Sequence, residues 1–255
     1  MQTAFGSGAF YGTPLYDAFG NAIATPTPIK LGILQDCSID LSWDTKELHG
    51  QNQFPVDIGR GKGKMSGKAK YAQIGSAQFN TFIAGQTIAT GQTLVSAATT
   101  PVAIPATPFT ITPTVPGSGV FAADLGVRSG LTGVPLIRVA SGPAAGQYSV
   151  NTTTGVYTFA SADNVSGLTV FIDFRYTLTT GKTVNITNLP MGDIPTFMME
   201  LFLRKNGLAT YIRIPNCVTS KFQLATKQDD FTIPDFDFMG FADVAGNAYY
   251  MSTSE

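Results

Sequence analysis

The residues whose types and spacing could do chemistry are concentrated in a glycine- and lysine-rich run, residues 59–70. Backbone amides of glycine-rich loops can cradle phosphates, so a nucleotide site is the first hypothesis. A P-loop, however, needs GxxxxGK followed by Ser or Thr. Here Gly67-Lys68 has no glycine at the required offset and is followed by Ala69. The spacing therefore argues against a nucleotide site.

An acidic stretch near the C-terminus is the second candidate, with Asp229, Asp230, Asp235 and Asp237. These carboxylates could serve acid–base catalysis or bind calcium, but the stretch lacks the central Gly and final Glu of an EF-hand loop. We interpret it as a solvated or interface-facing edge. His49 is the only histidine, and no GxSxG or HExxH motif occurs. Triads and histidine metal clusters are therefore disfavoured, and we expect no enzymatic activity, cofactor or metal.

The elements that carry these charges are two stretches with a period of two, which is typical of half-buried strands. In residues 36–44, acidic and serine side chains alternate with Cys, Ile, Leu and Trp. In residues 59–70, cations alternate with glycine and other small or apolar residues. We expect a hairpin with cross-strand ion pairs, and a loop at residues 45–58 that is too long for a tight turn. The facing charges that we expect to pair are Asp36, Asp40, Asp44, Arg60, Lys62, Lys64, Lys68 and Lys70. The basic face could also contact DNA phosphates, although the acidic face would offset it.

Composition favours an all-β protein. Only 13% of residues are charged, 27 are glycine and 15 are proline, and the formal net charge is −1. The chain offers no overall electrostatic attraction to nucleic acid or membrane. Cys37 and Cys217 stand alone, and we expect two buried, reduced thiols. No leader or membrane-spanning run is apparent, which predicts a protein that is made and used without export or membrane insertion.

The order of segments along the chain predicts three parts. Residues 1–30 read as an aromatic N-terminal arm on a neighbouring subunit or as a disordered leader. Residues 31–89 and 181–255 form the core domain, and residues 90–180 form an inserted β-rich module. The only convincing helix covers residues 76–84, with Ser76 as N-cap and Gly85 at the C-terminal end. Its apolar side, which must cover a sheet, carries Phe79, Phe82 and Ile83.

Several of these stretches resemble the tail tube proteins, or major tail proteins, of long-tailed bacteriophages. They are QDCSIDLS (35–42), LHGQNQFPVDIGRGKGK (48–64), GKAKYA (67–72), TKQDDFTIPDFDF (226–238) and FADVAGN (241–247). The resemblance covers most of the chain, and the middle insert is its least diagnostic part.

The resemblance implies a β-sandwich or half-barrel with one short flanking helix, and a virion protein assembled in the host cytoplasm. Hexameric rings would stack into a tube through which DNA passes without sequence-specific contact. Tape measure, tail terminator and tail tip proteins would be partners. The acidic face suits such a lumen, whereas residues 60–70 do not. The loop that reaches the next ring would include Lys46, Glu47, His49, Gln51, Phe54 and Asp57.

A second hypothesis belongs to another class: a virion-surface or host-glycan-binding β module, with residues 90–180 as its recognition face. A third, a β-sandwich hydrolase or lyase, is weaker because acid–base partners are so few.

Overall fold

The computed structural model describes residues 6–73 and 75–254. Strands account for 52% of the chain and helices for 7%, which confirms the all-β prediction. The chain divides into two compact units: unit 1 contains Met1–Ile88 and Val184–Glu255, and unit 2 contains Ala89–Thr183.

Sixteen strands follow one another within the described residues. They are β1 (Ala9–Tyr16), β2 (Ile29–Lys30), β3 (Leu34–His49), β4 (Pro55–Tyr71), β5 (Ala89–Ser96), β6 (Val102–Ala103), β7 (Thr110–Ile111), β8 (Val120–Ser129), β9 (Ile137–Arg138), β10 (Gln147–Val150), β11 (Tyr157–Phe159), β12 (Thr169–Thr183), β13 (Thr196–Lys205), β14 (Leu208–Gln223), β15 (Asp235–Phe241) and β16 (Tyr250–Thr253).

Unit 1 is built on one eight-stranded sheet in the order β2-β1-β13-β14-β15-β4-β3, with β16 also paired to β14. The long strands β3 and β4 pair antiparallel, as the alternating pattern predicts. Because β3 is the outermost strand, its outer edge has no partner in the described part of the chain.

The N-terminal segment differs from the prediction. Residues 1–5, with Phe5, lie outside the described residues, but β1 pairs with β13 and belongs to the sheet of unit 1. Phe10 is fully buried in its core. The strand was hard to recognise because Gly12 and Pro14 interrupt its apolar alternation. Gly12 lies under the Phe82 ring, where a Cβ would collide.

The predicted flanking helix is confirmed, and it covers the sheet. An α-helical turn, α1 (Ser76–Phe79), continues as a π-helical turn, Asn80–Ala84, and ends at Gly85 with φ of 58°. Ser76 is the first helical residue, not the N-cap, which is Gly75. Phe82 is buried, with ring centroids 5.1 Å from Phe197 and 5.2 Å from Phe236. A helix this short would be only marginally stable in water by itself. The packing of Phe82 against these two rings stabilises it.

The remaining helical side chains lie at the edge of the same core. Phe79 packs edge-on against Phe222, with ring centroids 5.3 Å apart, and Ile83 is partly buried against the cluster.

Unit 2 has two four-stranded sheets, β7-β11-β10-β9 and β5-β12-β6 with β8 paired to β12. It has a hydrophobic core of its own, centred on fully buried Tyr157 and Val170. A second short helix, α2 (Ser161–Val165), was not predicted. The first and last residues of the unit, Ala89 and Thr183, are paired across β5 and β12.

Candidate functional site

The most exposed regular element of unit 1 is the distal half of the β3–β4 hairpin, residues 42–64, here called the arm. Pairing between β4 and β15 ends at Met65 and Gly240, so beyond that point β4 pairs with β3 alone. Every residue from 42 to 64 except the half-buried Pro55 is exposed, and Met65 is the first buried one. At about 3.3 Å per residue, the arm extends about 30 Å. An isolated two-stranded ribbon is at best marginally stable in water, so such an arm is typical of a contact with another molecule.

The predicted 45–58 loop is wrong in its bounds. β3 continues to His49 and β4 begins at Pro55, so the connection is only residues 50–54. Of the loop residues named from the sequence, Gln51 and Phe54 lie in this connection. Lys46, Glu47 and His49 lie on β3, and Asp57 lies on β4.

The physical reason is that neither face of residues 45–49 is buried, so the sequence needs no alternation of polar and apolar side chains there although the strand continues. The ladder also contains a β-bulge: Trp43 pairs with Gly63 and Thr45 with Arg60, so β4 has one extra residue between these pairs.

The same bulge moves Arg60 out of the basic face to which the sequence assigned it. Its guanidinium lies over the Trp43 ring, 4.6 Å from the centroid. Trp43 is 47% exposed and is the only tryptophan. The arm thus presents a stacked Arg–Trp pair, and both residue types are enriched at the energetic hot spots of protein interfaces.

The glycines of β4 accommodate aromatic rings. A Cβ on Gly67 would overlap the Phe238 ring, and one on Gly63 would lie 3.0 Å from Nε1 of Trp43. In contrast, a Cβ on Gly59 would meet open space. Bare strand positions that receive a ring from the neighbouring strand are a known packing device in sheets. This packing explains the glycine content of residues 63–67 without a phosphate ligand.

The predicted ion pairs between the acidic and basic strands are not formed. Asp36 is opposite Lys70 and Asp40 is opposite Ser66, yet among the described residues no salt bridge joins β3 to β4. Lys68 instead forms an ion pair with Asp235 on β15, and its Nζ is 3.9 Å from Asp237. β4 lies between two acidic strands, and Lys68 pairs with the C-terminal one. The hydrogen bond that Lys68 donates to Asp235 raises the pKa of Lys68, and the charges of the nearby carboxylates add to the effect.

Other named charges remain exposed on the hairpin. Asp44, Lys62 and Lys64 make no ion pair within residues 6–73 and 75–254. The acidic C-terminal stretch is divided: Asp235 and Asp237 lie on β15, while Asp229 and Asp230 lie in the preceding loop. Nowhere in those described ranges do three or more His, Cys, Asp or Glu side chains converge to hold a metal ion.

Both thiols are free, and burial raises their pKa. The Cys217 thiol is fully buried, and the half-buried Cys37 has its pKa raised to about 12 by burial and by the adjacent Asp36 charge. Neither is poised as a nucleophile, because the thiolate is strongly disfavoured.

One polar cluster, in unit 2, was missed by the sequence analysis. The Asp124 carboxylate is almost completely buried and accepts hydrogen bonds from the hydroxyls of Tyr148 (2.8 Å) and Tyr157 (3.0 Å). The backbone amide of Gly126 donates a third, and Arg138 lies 3.7 Å away. Burial, together with the Asp124 charge, raises the pKa of both tyrosines. The only hint in the sequence was a single charge in a long uncharged span. With all oxygens satisfied, the cluster stabilises the unit 2 fold.

Neither a scan against protein-family models nor a search of curated proteins finds a match to this chain. Within the part of the chain that the structure describes, no helix has the length and apolar character needed to cross a bilayer.

Proposed function

We propose that this chain is the structural subunit of a phage-type tail tube, in which hexameric rings stack into a conduit for DNA. The subunit acts by self-assembly and carries no catalytic machinery. The resemblance in residues 35–72 and 226–247 suggests the family, and the β-rich fold with one flanking helix is compatible with it.

The observation that carries the proposal is the arm. A ribbon about 30 Å long that pairs with no other described strand of unit 1 is costly to expose, particularly with Phe54 81% exposed at its end. A neighbouring subunit would cover its apolar side chains. The unpaired edge of β3 favours the same conclusion, because natural proteins seldom leave a long edge strand uncovered.

The test is direct imaging of the purified protein by negative-stain electron microscopy over a range of concentrations. Rings or tubes are expected. An arm-shortened variant, with residues 46–59 replaced by Asn-Gly, joins Thr45 to Arg60 through a two-residue hairpin turn. It should keep the circular dichroism spectrum of the parent and form no tubes. If the full-length protein stays monomeric at every concentration, the proposal is wrong.

A second candidate is a virion-surface or host-glycan-binding module, and the separate core of unit 2 is the observation that favours it. Deleting about residues 90–180 distinguishes the two functions. Tubes that still form, with loss of adhesion only, make unit 2 an accessory of the tube. Adhesion by a full-length protein that never assembles would instead favour the binding module.

A further inference from the structure

The N-terminal segment enters the sheet of unit 1 beside the outer edge of β3. The Ser7 hydroxyl donates a hydrogen bond to the Leu34 carbonyl (2.6 Å). Leu34 is opposite Tyr71 in the β3–β4 ladder, and the Tyr71 amide donates to the Pro234 carbonyl, directly before β15 (3.1 Å). Opposite residues of an antiparallel ladder either exchange both hydrogen bonds or turn their backbone groups away from each other. The Leu34 carbonyl therefore points to the outer edge of β3, and Ser7 lies on that edge.

The direction of the chain leads the residues before Ser7 along β3. β1 and β2 are antiparallel, and beyond β2 the Leu31 amide donates to the Phe10 carbonyl (2.8 Å). Residue numbers thus rise towards β3 while those of the facing segment fall from Phe10 to Ser7. A continuation in the same direction runs antiparallel to β3. At about 3.4 Å per residue, residues 1–5 are long enough to cover the edge at residues 36–40.

An open apolar groove follows the same part of β3. Its volume is about 300 Å³, and it is lined by Cys37 and Ile39 of β3 and, among others, by Leu203 and Tyr249. Gly8 adjoins the groove, because a Cβ on Gly8 would lie 2.6 Å from Cδ2 of Leu203. A chain that continues along β3 from this point passes directly over the groove.

We propose that residues 1–5, which lie outside the described residues, add to β3 as an antiparallel strand and that Phe5 covers the apolar groove. Phe5 is the largest apolar side chain of this segment and precedes Ser7 by two residues. Because Ser7 is held at Leu34 of its own chain, the edge within reach of five residues is that of the same subunit.

The docked strand closes the part of the edge to which another chain could otherwise add a strand. The edge from residue 41 onwards, which includes the arm, stays available to a neighbouring subunit. Docking takes place within one chain and therefore does not depend on the proposed function.

The Cys37 thiol tests the docking, because it is half-buried and lines the groove, whereas Cys217 is fully buried. The double substitution Gln2→Pro with Thr3→Pro removes two adjacent backbone amides, one of which faces β3 in any register. Alkylation of Cys37 by iodoacetamide, located by peptide mass spectrometry, should then accelerate about tenfold or more, because the groove opens. The matched control, Gln2→Ala with Thr3→Ala, keeps both amides and should react at the parental rate.

The role of Phe5 has a test of its own. Phe5→Ser should also accelerate alkylation of Cys37, because a serine side chain cannot cover the groove. The control is Phe19→Ser, which removes an exposed ring from another loop and should have no effect. Hydrogen exchange is the second measurement: amides of residues 35–40 should lose protection in the proline variant and keep it in the alanine variant.

These measurements use protein diluted below any concentration at which it assembles, so they are independent of tube formation. If the proline and alanine variants both react like the parent protein, the docking is wrong. Protection of Cys37 that increases with protein concentration would also overturn it, because the segment would then pair with a second copy. If Phe5→Ser alone has no effect, the assignment of Phe5 to the groove is wrong.

Discussion

Phe238 lies across Gly67 on the adjacent strand, so closely that the glycine has no room for a Cβ. This relationship joins the start of the hairpin to the core, because Phe238 is fully buried beside Phe236 and Phe10.

Gly67→Ala should therefore destabilise unit 1 by about 1–3 kcal/mol, the usual effect of overpacking a well-filled core. Gly59→Ala is the matched control on the same strand, because its Cβ would meet open space, and its effect should stay within about 0.5 kcal/mol. Urea unfolding followed by circular dichroism measures both. Equal effects of the two substitutions would contradict this account of the glycine run.

Lys68→Ala should lower the melting temperature more than Lys62→Ala, because only Lys68 pairs with Asp235 and Asp237. The difference should shrink in 1 M NaCl, since salt screens exposed pairs. The raised pKa of Lys68 means that its contribution is complete below the ordinary lysine pKa and is lost as pH rises through the folded-state value. Identical melting temperatures for the two variants at low salt would show that the ion pair contributes nothing.

The free energy of unfolding should fall as pH rises above about 9. The pKa of Cys37 rises from 9.0 to about 12 on folding, and Cys217 shifts in the same direction. The folded state then holds protons that the unfolded state releases, so stability is lost at up to about 1.4 kcal/mol per pH unit for each thiol. Urea unfolding at pH 7, 8, 9 and 10 measures this slope.

A variant with Cys37→Ala and Cys217→Ala is the control for the alkaline loss. It should be less stable at pH 7 but should lose most of the slope between pH 9 and 10. Tyr71, whose pKa is raised to about 12, contributes to the loss of stability only above pH 10, the ordinary pKa of tyrosine. A slope that the double substitution leaves unaltered would assign the alkaline loss to other groups.

In unit 2, Tyr157→Phe should cost about 1–2 kcal/mol, because it removes one donor from the buried Asp124 carboxylate. Asp124→Ala should cost about 3–5 kcal/mol, since it leaves two tyrosine hydroxyls and Arg138 without their acceptor. Tyr176→Phe is the control, because that buried tyrosine makes no hydrogen bond through its hydroxyl in the described chain. Calorimetry of the full chain should show the changes in one transition only. Equal effects of all three substitutions would exclude a role for the cluster.

The all-β class, the β3–β4 hairpin and the flanking helix could be predicted because each has a local signal: a period of two, or helical spacing closed by Gly85. The length of the arm could not, because residues 45–49 are exposed on both faces and such a strand shows no period of two. The ion-pair partner of Lys68 could not be predicted either, because no local pattern in the sequence indicates that β15 pairs with β4. For the same reason, the sequence alone did not predict that Asp124 accepts hydrogen bonds from Tyr148 and Tyr157.

The pairing of Ala89 with Thr183 has an evolutionary consequence. Residues directly opposite in an antiparallel ladder have Cα atoms about 4.5–5.5 Å apart, little more than one peptide step. A coding segment could be gained or lost at this point without displacing a strand of unit 1. Ancestors of this chain that lacked unit 2 would therefore need no other rearrangement, and other small domains could occupy the same position.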